Sequence, residues 1–197
     1  MATVLYIKAN PKSNAASVTF QMSEAFVEQY RRHHPEDQVI TLDLYSEGIH
    51  FLTAEDLDNM FSGAEFQVKE YAKQFAAADK YIIAAPLWNL SFPAILKAYI
   101  DYICFAGISF RYTENGSEGL LKNKKAAYIV GRGGAYSQPP MADLEMGERY
   151  LRALLGFLGI TDVVTIACEN TEVLQGDDLQ AAIDASIQQA KELAAGF

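Results

Sequence analysis

Residues 81–101 read Tyr-Ile-Ile-Ala-Ala-Pro-Leu-Trp-Asn-Leu-Ser-Phe-Pro-Ala-Ile-Leu-Lys-Ala-Tyr-Ile-Asp. The run Tyr81 to Ala85 has the pattern of a strand buried on both faces of a sheet. Pro86 cannot donate to a ladder and ends it. Pro93 suits the first turn of a helix. Ile95, Leu96, Tyr99, Ile100 and Ile103 then fall at helical spacing. Between them, Leu87 to Phe92 holds an indole and an amide at the carboxyl end of a core strand, where open α/β sheets bind ligands. We read Trp88 as bordering a flat ligand rather than plugging the rim of the core.

The same alternation extends outward in both directions. Val4–Lys8, Val39–Leu44, Lys125–Val130 and Val163–Cys168 read as further strands. Helical spacing predicts helices over Ser17–His34, Met141–Leu158 and Asp177–Leu193, and one or two helices over Thr53–Ala78 with Thr53 as cap. Five strands joined by helices imply parallel pairing with right-handed crossovers, a doubly wound α/β fold. One segment departs from this. Ile108–Thr113 has period two and is followed by Glu114-Asn115-Gly116 and Leu120-Leu121, which predicts an inserted β-hairpin beside the site or as a surface ribbon. No repeat or linker interrupts the chain, so one domain over 1–197 is expected.

Composition narrows the function. The chain has 197 residues, is half hydrophobic and carries a formal charge of −9. Such acidity argues against nucleic acid as a partner, which needs a basic footprint. No apolar run approaches the ~20 residues of a membrane helix. Met1-Ala2-Thr3 passes straight into Val4 to Ile7 without a basic n-region, so no signal peptide is expected. Cys104 and Cys168 read as reduced core residues of a cytoplasmic protein. His33, His34 and His50 sit in polar contexts and read as solvated. No G-x-S-x-G elbow, H-E-x-x-H or Cys/His cluster occurs, so no metal and no catalytic nucleophile are expected.

Three loops carry the chemistry. After the first strand, Ala9-Asn10-Pro11-Lys12-Ser13-Asn14-Ala15-Ala16-Ser17-Val18-Thr19 lacks glycine, so it is neither a dinucleotide turn nor a Walker loop. It instead offers hydroxyls at Ser13, Ser17 and Thr19 where a helix begins, and a helix amino end favours anions. After the fourth strand, Gly131-Arg132-Gly133-Gly134-Ala135-Tyr136-Ser137 lets backbone approach a planar ligand. Arg132 would add a cation there and Tyr136 a ring or hydroxyl. The loops after strands one, three and four share one sheet edge, and a flavin mononucleotide satisfies all three.

With these residues in view, the chain resembles the FMN-dependent NADH:quinone oxidoreductases and azoreductases over essentially its whole length. The specific pieces are Pro86-Leu87-Trp88-Asn89, Phe110 to Gly116, Lys124-Lys125-Ala126, Arg132-Gly133-Gly134 and Leu155 to Ile160. The resemblance implies a flavodoxin-like, doubly wound five-stranded parallel sheet of order 2-1-3-4-5. It also implies a homodimer with FMN at the interface, and two-electron transfer from NADH or NADPH to a quinone or azo compound by a ping-pong route. By position, Ser17, Val18 and Thr19 would hold the phosphate, with Asn10 beside them. Pro86, Leu87, Trp88, Asn89 and Leu90 would flank the ring and ribityl chain, and Gly131, Arg132, Gly133 and Gly134 would meet the ring's polar edge with Tyr136 nearby. Relatives often carry an aromatic at Leu90, a serine at Gly131 and a serine near Ala9 or Asn10, and a longer segment between Leu52 and Val68. The rival readings are a flavodoxin-type one-electron carrier, a phosphodiesterase and an interaction protein with a vestigial pocket.

Overall fold

A computed structural model describes residues 1–197. Five strands form a parallel sheet: β1 (Thr3–Lys8), β2 (Gln38–Asp43), β3 (Lys80–Ala84), β6 (Lys125–Gly131) and β7 (Asp162–Cys168). Their order across the sheet is β2-β1-β3-β6-β7. The order reverses at β1, so the carboxyl ends of β1 and β3 open onto a switch point. Register is continuous through the centre, with Ile7 opposite both Leu42 and Ile83.

Side chains alternate between two buried faces, because successive Cβ atoms point to opposite sides of a pleat. Leu5, Ile7, Tyr81, Ile83, Tyr128 and Val130 face one way, packed with Phe75, Tyr99 and Leu155. These come from α3 (Gln67–Ala77), α4 (Ala94–Ile103) and α5 (Gly147–Leu158). Val4, Tyr6, Ile82, Ala84 and Ile129 face the other way, packed with Phe26 and Ala190. Those belong to α1 (Val18–His33) and α6 (Gly176–Ala195). With both faces covered, a central strand needs no polar side, which is why β3 reads as a continuous apolar run.

The expected elements appear, the Thr53–Ala78 stretch among them, and three readings differ: the Met141–Leu158 helix, the place of Pro93 and the setting of His34. The 53–78 stretch is two helices, α2 (Ala54–Ser62) and α3, because Gly63 takes φ +78° and closes α2. Thr53 caps α2 in a reciprocal capping box with Asp56. The 141–158 stretch is a short 3-10 turn, Met141–Leu144, and then α5. The helix breaks there because the Glu145 carboxylate folds forward to accept the Glu148 amide, while the Met146 amide donates to Leu90 O at 2.9 Å. Pro93 precedes α4 as its cap rather than opening its first turn. His34 is half-buried rather than solvated, its ring 4.5 Å from that of Tyr30.

The inserted hairpin pairs β4 (Phe110–Thr113) with β5 (Gly116–Gly119). Its two-residue turn is Glu114-Asn115, and Gly116 takes φ +106° as the return strand begins. It lies on the end of α5, where Leu121 N–H donates to Leu158 O at 2.9 Å. Gly119 packs directly on that helix end: a Cβ there would lie 2.2 Å from the Leu158 carbonyl carbon. No helix is long and apolar enough to cross a membrane.

Candidate functional site

The loops after β1, β3 and β6 converge on a cavity of about 440 Å³ at the switch point. The β1 loop ends at Ser17, the extended N-cap of α1. Its Oγ accepts from Phe20 N at 3.2 Å and from Asn10 Nδ2 at 2.9 Å. Both bonds occupy oxygen lone pairs, so the hydroxyl proton remains to donate. The amides of Ser17, Val18 and Thr19 have no partner in the chain. Four other helices carry a carboxylate in the first turn: Glu55 and Asp56, Glu70, Glu148, and Asp177 and Asp178. The first turn of α1 has none. The first turn of α4 has none either, but it is the α1 end that borders the cavity, through Ser17, Val18 and Thr19, and makes a ready site for an anion.

The β3 loop contributes Pro86, Leu87, Trp88 and Asn89 to the same wall. Trp88 N–H donates to Ser91 O at 2.6 Å, and Ser91 N–H donates back at 3.0 Å. The two residues between them, Asn89 and Leu90, have φ of +49° and +70°. This is the mirror-image two-residue turn of a tight hairpin. Asparagine tolerates that conformation; leucine is strained in it. The turn holds the indole out at the cavity's edge, 39% exposed.

The β6 loop brings Gly131 and Gly133 to the cavity. Gly131 N–H donates to Thr19 Oγ1 at 3.0 Å, which ties this loop to the start of α1. The carbonyls of Arg132, Gly133 and Gly134 accept from the amides of Thr171, Glu172 and Asn170 at 3.1, 3.1 and 3.3 Å. The amides of Gly133 and Gly134 are left without partners in the chain.

Four of the expected site residues do not line this cavity: Leu90, Arg132, Gly134 and Tyr136. Leu90 sits at the tip of the turn, 37% exposed. Arg132 differs most from expectation. Only 3% exposed, it is held by glutamates rather than presented to a ligand. Its guanidinium lies 2.7 Å from Glu148, 3.2 Å from Glu169 and 3.8 Å from Glu145. With Tyr136 it borders a separate hollow of about 350 Å³ beside α5. A glycine-loop arginine reads as a ligand contact from sequence, because the three glutamates that claim it are far off in the chain. Burial pushes the Glu148 carboxyl up, but hydrogen bonds from Thr165, Arg152 and Arg132 outweigh it and hold it below its ordinary range.

The cavity also includes Lys12, Ala16, Thr171 and Glu172, which sequence reasoning did not single out. Lys12 is its only cation, exposed and without an acidic partner. Thr171 and Glu172 follow β7, and that strand's carboxyl end shares the sheet edge of the other three. The topology was thus the signal that pointed to them. No cluster of three His, Cys, Asp or Glu side chains is placed to hold a metal ion. Burial pushes the Cys104 thiol up to about 11, which leaves it protonated and a poor nucleophile.

The sheet order and the three-loop cavity define a protein of the flavodoxin-like class, and the matching family model, described as a flavodoxin-like fold, spans residues 2–194. The chain is 55% identical to FMN-dependent NADH:quinone oxidoreductase 2 of Clostridium acetobutylicum and 50% identical to the FMN-dependent NADH:quinone oxidoreductase of Caldicellulosiruptor bescii, each alignment covering 100% of both chains. Among solved structures, an azoreductase from Bacillus anthracis superposes with TM-score 0.92 at 35% identity over 100% of both chains. An FMN-dependent NADH-azoreductase from the same species, in complex with FMN, superposes with TM-score 0.87 at 31% identity, covering 98% of this chain and 100% of its own. The chain belongs to the family of FMN-dependent NADH:quinone oxidoreductases and azoreductases.

Proposed function

We propose that this protein binds FMN at the switch-point cavity and uses it to reduce quinones, and aromatic azo compounds, with electrons from NADH or NADPH. The observation that carries the reading is the set of free donors there. Three unpaired amides at an α1 end without carboxylates suit a phosphate monoester. The apolar wall of Leu87 and Trp88 suits a flat ring, and the unpaired Gly133 amide suits its polar edge. When bound, FMN supplies two-electron transfer between nicotinamide and acceptor. The chain's task is to bind, orient and aim N–H donors where negative charge develops. Donor and acceptor would use the same exposed face in turn, a ping-pong order.

The assembly and setting belong to the same reading. Trp88, Leu90, Met146, Tyr150 and Phe157 expose large apolar surface. Leu90 and Met146 are joined through their backbones. Exposed apolar surface of this kind marks an interaction face, and a second copy of this chain is its natural partner. Both cysteines are free, as in a reducing cytoplasm. Residues 1–197 are read as one domain.

A visible spectrum of the purified protein, followed by anaerobic NADH titration and then addition of a quinone, tests this. Bleaching by NADH and recovery with quinone are expected. A one-electron carrier would resist direct bleaching by NADH. A colourless protein that takes up no added FMN would end the flavin reading and reopen the phosphodiesterase one.

A further inference from the structure

The buried guanidinium of Arg132 joins α5, the segment after β7 and the far end of the glycine loop, yet it does not line the cavity at the switch point. It reaches Glu148 at the start of α5, Glu169 just after β7 and Ser137 Oγ at 3.1 Å. Glu169 Oε1 in turn accepts from Tyr136 N at 2.8 Å and Ser137 Oγ at 2.9 Å. The far end of the glycine loop is therefore held by the same carboxylate that holds the arginine. Between those anchors, the three carbonyls from Arg132 to Gly134 all bond to the Asn170–Glu172 backbone, and the two glycine amides stay free. Glycines have little conformational preference of their own, so this peptide orientation must be imposed from outside the loop.

We propose that Arg132 is a positioning residue: through Glu148 and Glu169 it fixes the glycine loop so that the Gly133 amide stays free at the cavity wall, where it would meet the flavin's polar edge. This rests on the FMN reading above. Pre-set donors favour the form of the ring that carries more negative charge, so the brace raises affinity for the reduced cofactor above that for the oxidised one. A strut that served stability alone would lack this asymmetry.

The test compares wild type, Arg132→Lys and Arg132→Gln by melting temperature, FMN affinity from fluorescence quenching, and two-electron midpoint potential from dye equilibration. A lysine keeps the charge but cannot branch to two glutamates. Both variants are expected to bind reduced FMN about tenfold more weakly relative to oxidised FMN than wild type does, since a hydrogen bond to a charged group is the interaction lost. That ratio is a fall of about 30 mV in midpoint potential. The glutamine variant should shift more than the lysine. Glu169→Gln leaves the Glu148 pair intact; it is read alongside in case the arginine variants do not fold, and a smaller fall in the same direction supports the proposal. Folded variants with lowered melting temperature but wild-type potential overturn it while leaving the FMN reading intact, as does a Glu169→Gln potential equal to wild type. A wild-type protein that binds no FMN overturns both.

Discussion

Thr19 Oγ1 accepts a 3.0 Å hydrogen bond from the amide of Gly131, across 112 residues of sequence. This contact joins the anion-suited end of α1 to the glycine loop, and it leaves the threonine hydroxyl proton free for a ligand. Thr19→Val strands the Gly131 amide and removes the donor. The expected cost is about 1–2 kcal/mol of stability, with weaker FMN binding and nearly unchanged riboflavin binding. Thr19→Ser should restore both. Equal losses for FMN and riboflavin would move Thr19 away from the phosphate.

Lys12 is the one cation lining the cavity, and with FMN bound as proposed it would add positive charge beside the phosphate. Lys12→Gln should weaken FMN binding by about 3- to 10-fold at low salt, with the gap closing as ionic strength rises and exposed charges are screened. Riboflavin, which lacks the phosphate, serves as the control. A difference that persists unchanged at 1 M salt would speak against an electrostatic role.

Leu90 holds φ +70° at the tip of the Trp88 turn. An L-residue pays roughly 1–2 kcal/mol to sit there, a β-branched one more, and glycine nothing. Leu90→Gly, which discards the side chain, should therefore melt above Leu90→Val, which keeps most of it. A gap of about 2–4 °C is expected for a chain of this size. The opposite order in a thermal melt would show that burial of Leu90 outweighs its strain.

Gly119 lies against the carboxyl end of α5, where a Cβ would sit 2.2 Å from Leu158 C and 2.4 Å from Gly159 N. Those are backbone atoms, and a side chain cannot be accommodated by rotamer change. Gly119→Ala should cost about 3 kcal/mol or more and lower the urea midpoint. A midpoint within error of wild type would mean the hairpin is not docked there.

Asp37 accepts from Tyr30 Oη at 2.5 Å and from the Ala2 amide at 2.6 Å. The tyrosine bond first, and then the amide, hold its carboxyl below the usual carboxylate range. A carboxyl depressed on folding adds stability that is complete above its unfolded value near 4 and disappears as pH falls through the folded value. Stability should thus drop on acidification below about pH 4, and Asp37→Asn should flatten that drop while lowering stability at neutral pH. Parallel pH profiles for the two proteins would remove Asp37 as a contributor.

The sequence alone settled the parallel sheet, since five short apolar runs separated by helical spacing permit few other arrangements, and Tyr81–Ala85 with Pro86 marks where a strand must stop. It also singled out Ser17 to Thr19 and Pro86 to Asn89, because residue types placed just past a strand's carboxyl end depend on local order that a one-dimensional reading can follow. What it could not reveal was which distant groups compete for a side chain. Arg132 turns inward because Glu145, Glu148 and Glu169 gather around it only once α5 and β7 pack beside β6, and a buried guanidinium goes where carboxylates compensate its desolvation. Thr171 and Glu172 join the cavity for a related reason: they follow the edge strand β7, and only the packed loops show that its carboxyl end reaches the same cavity wall as those of β1, β3 and β6.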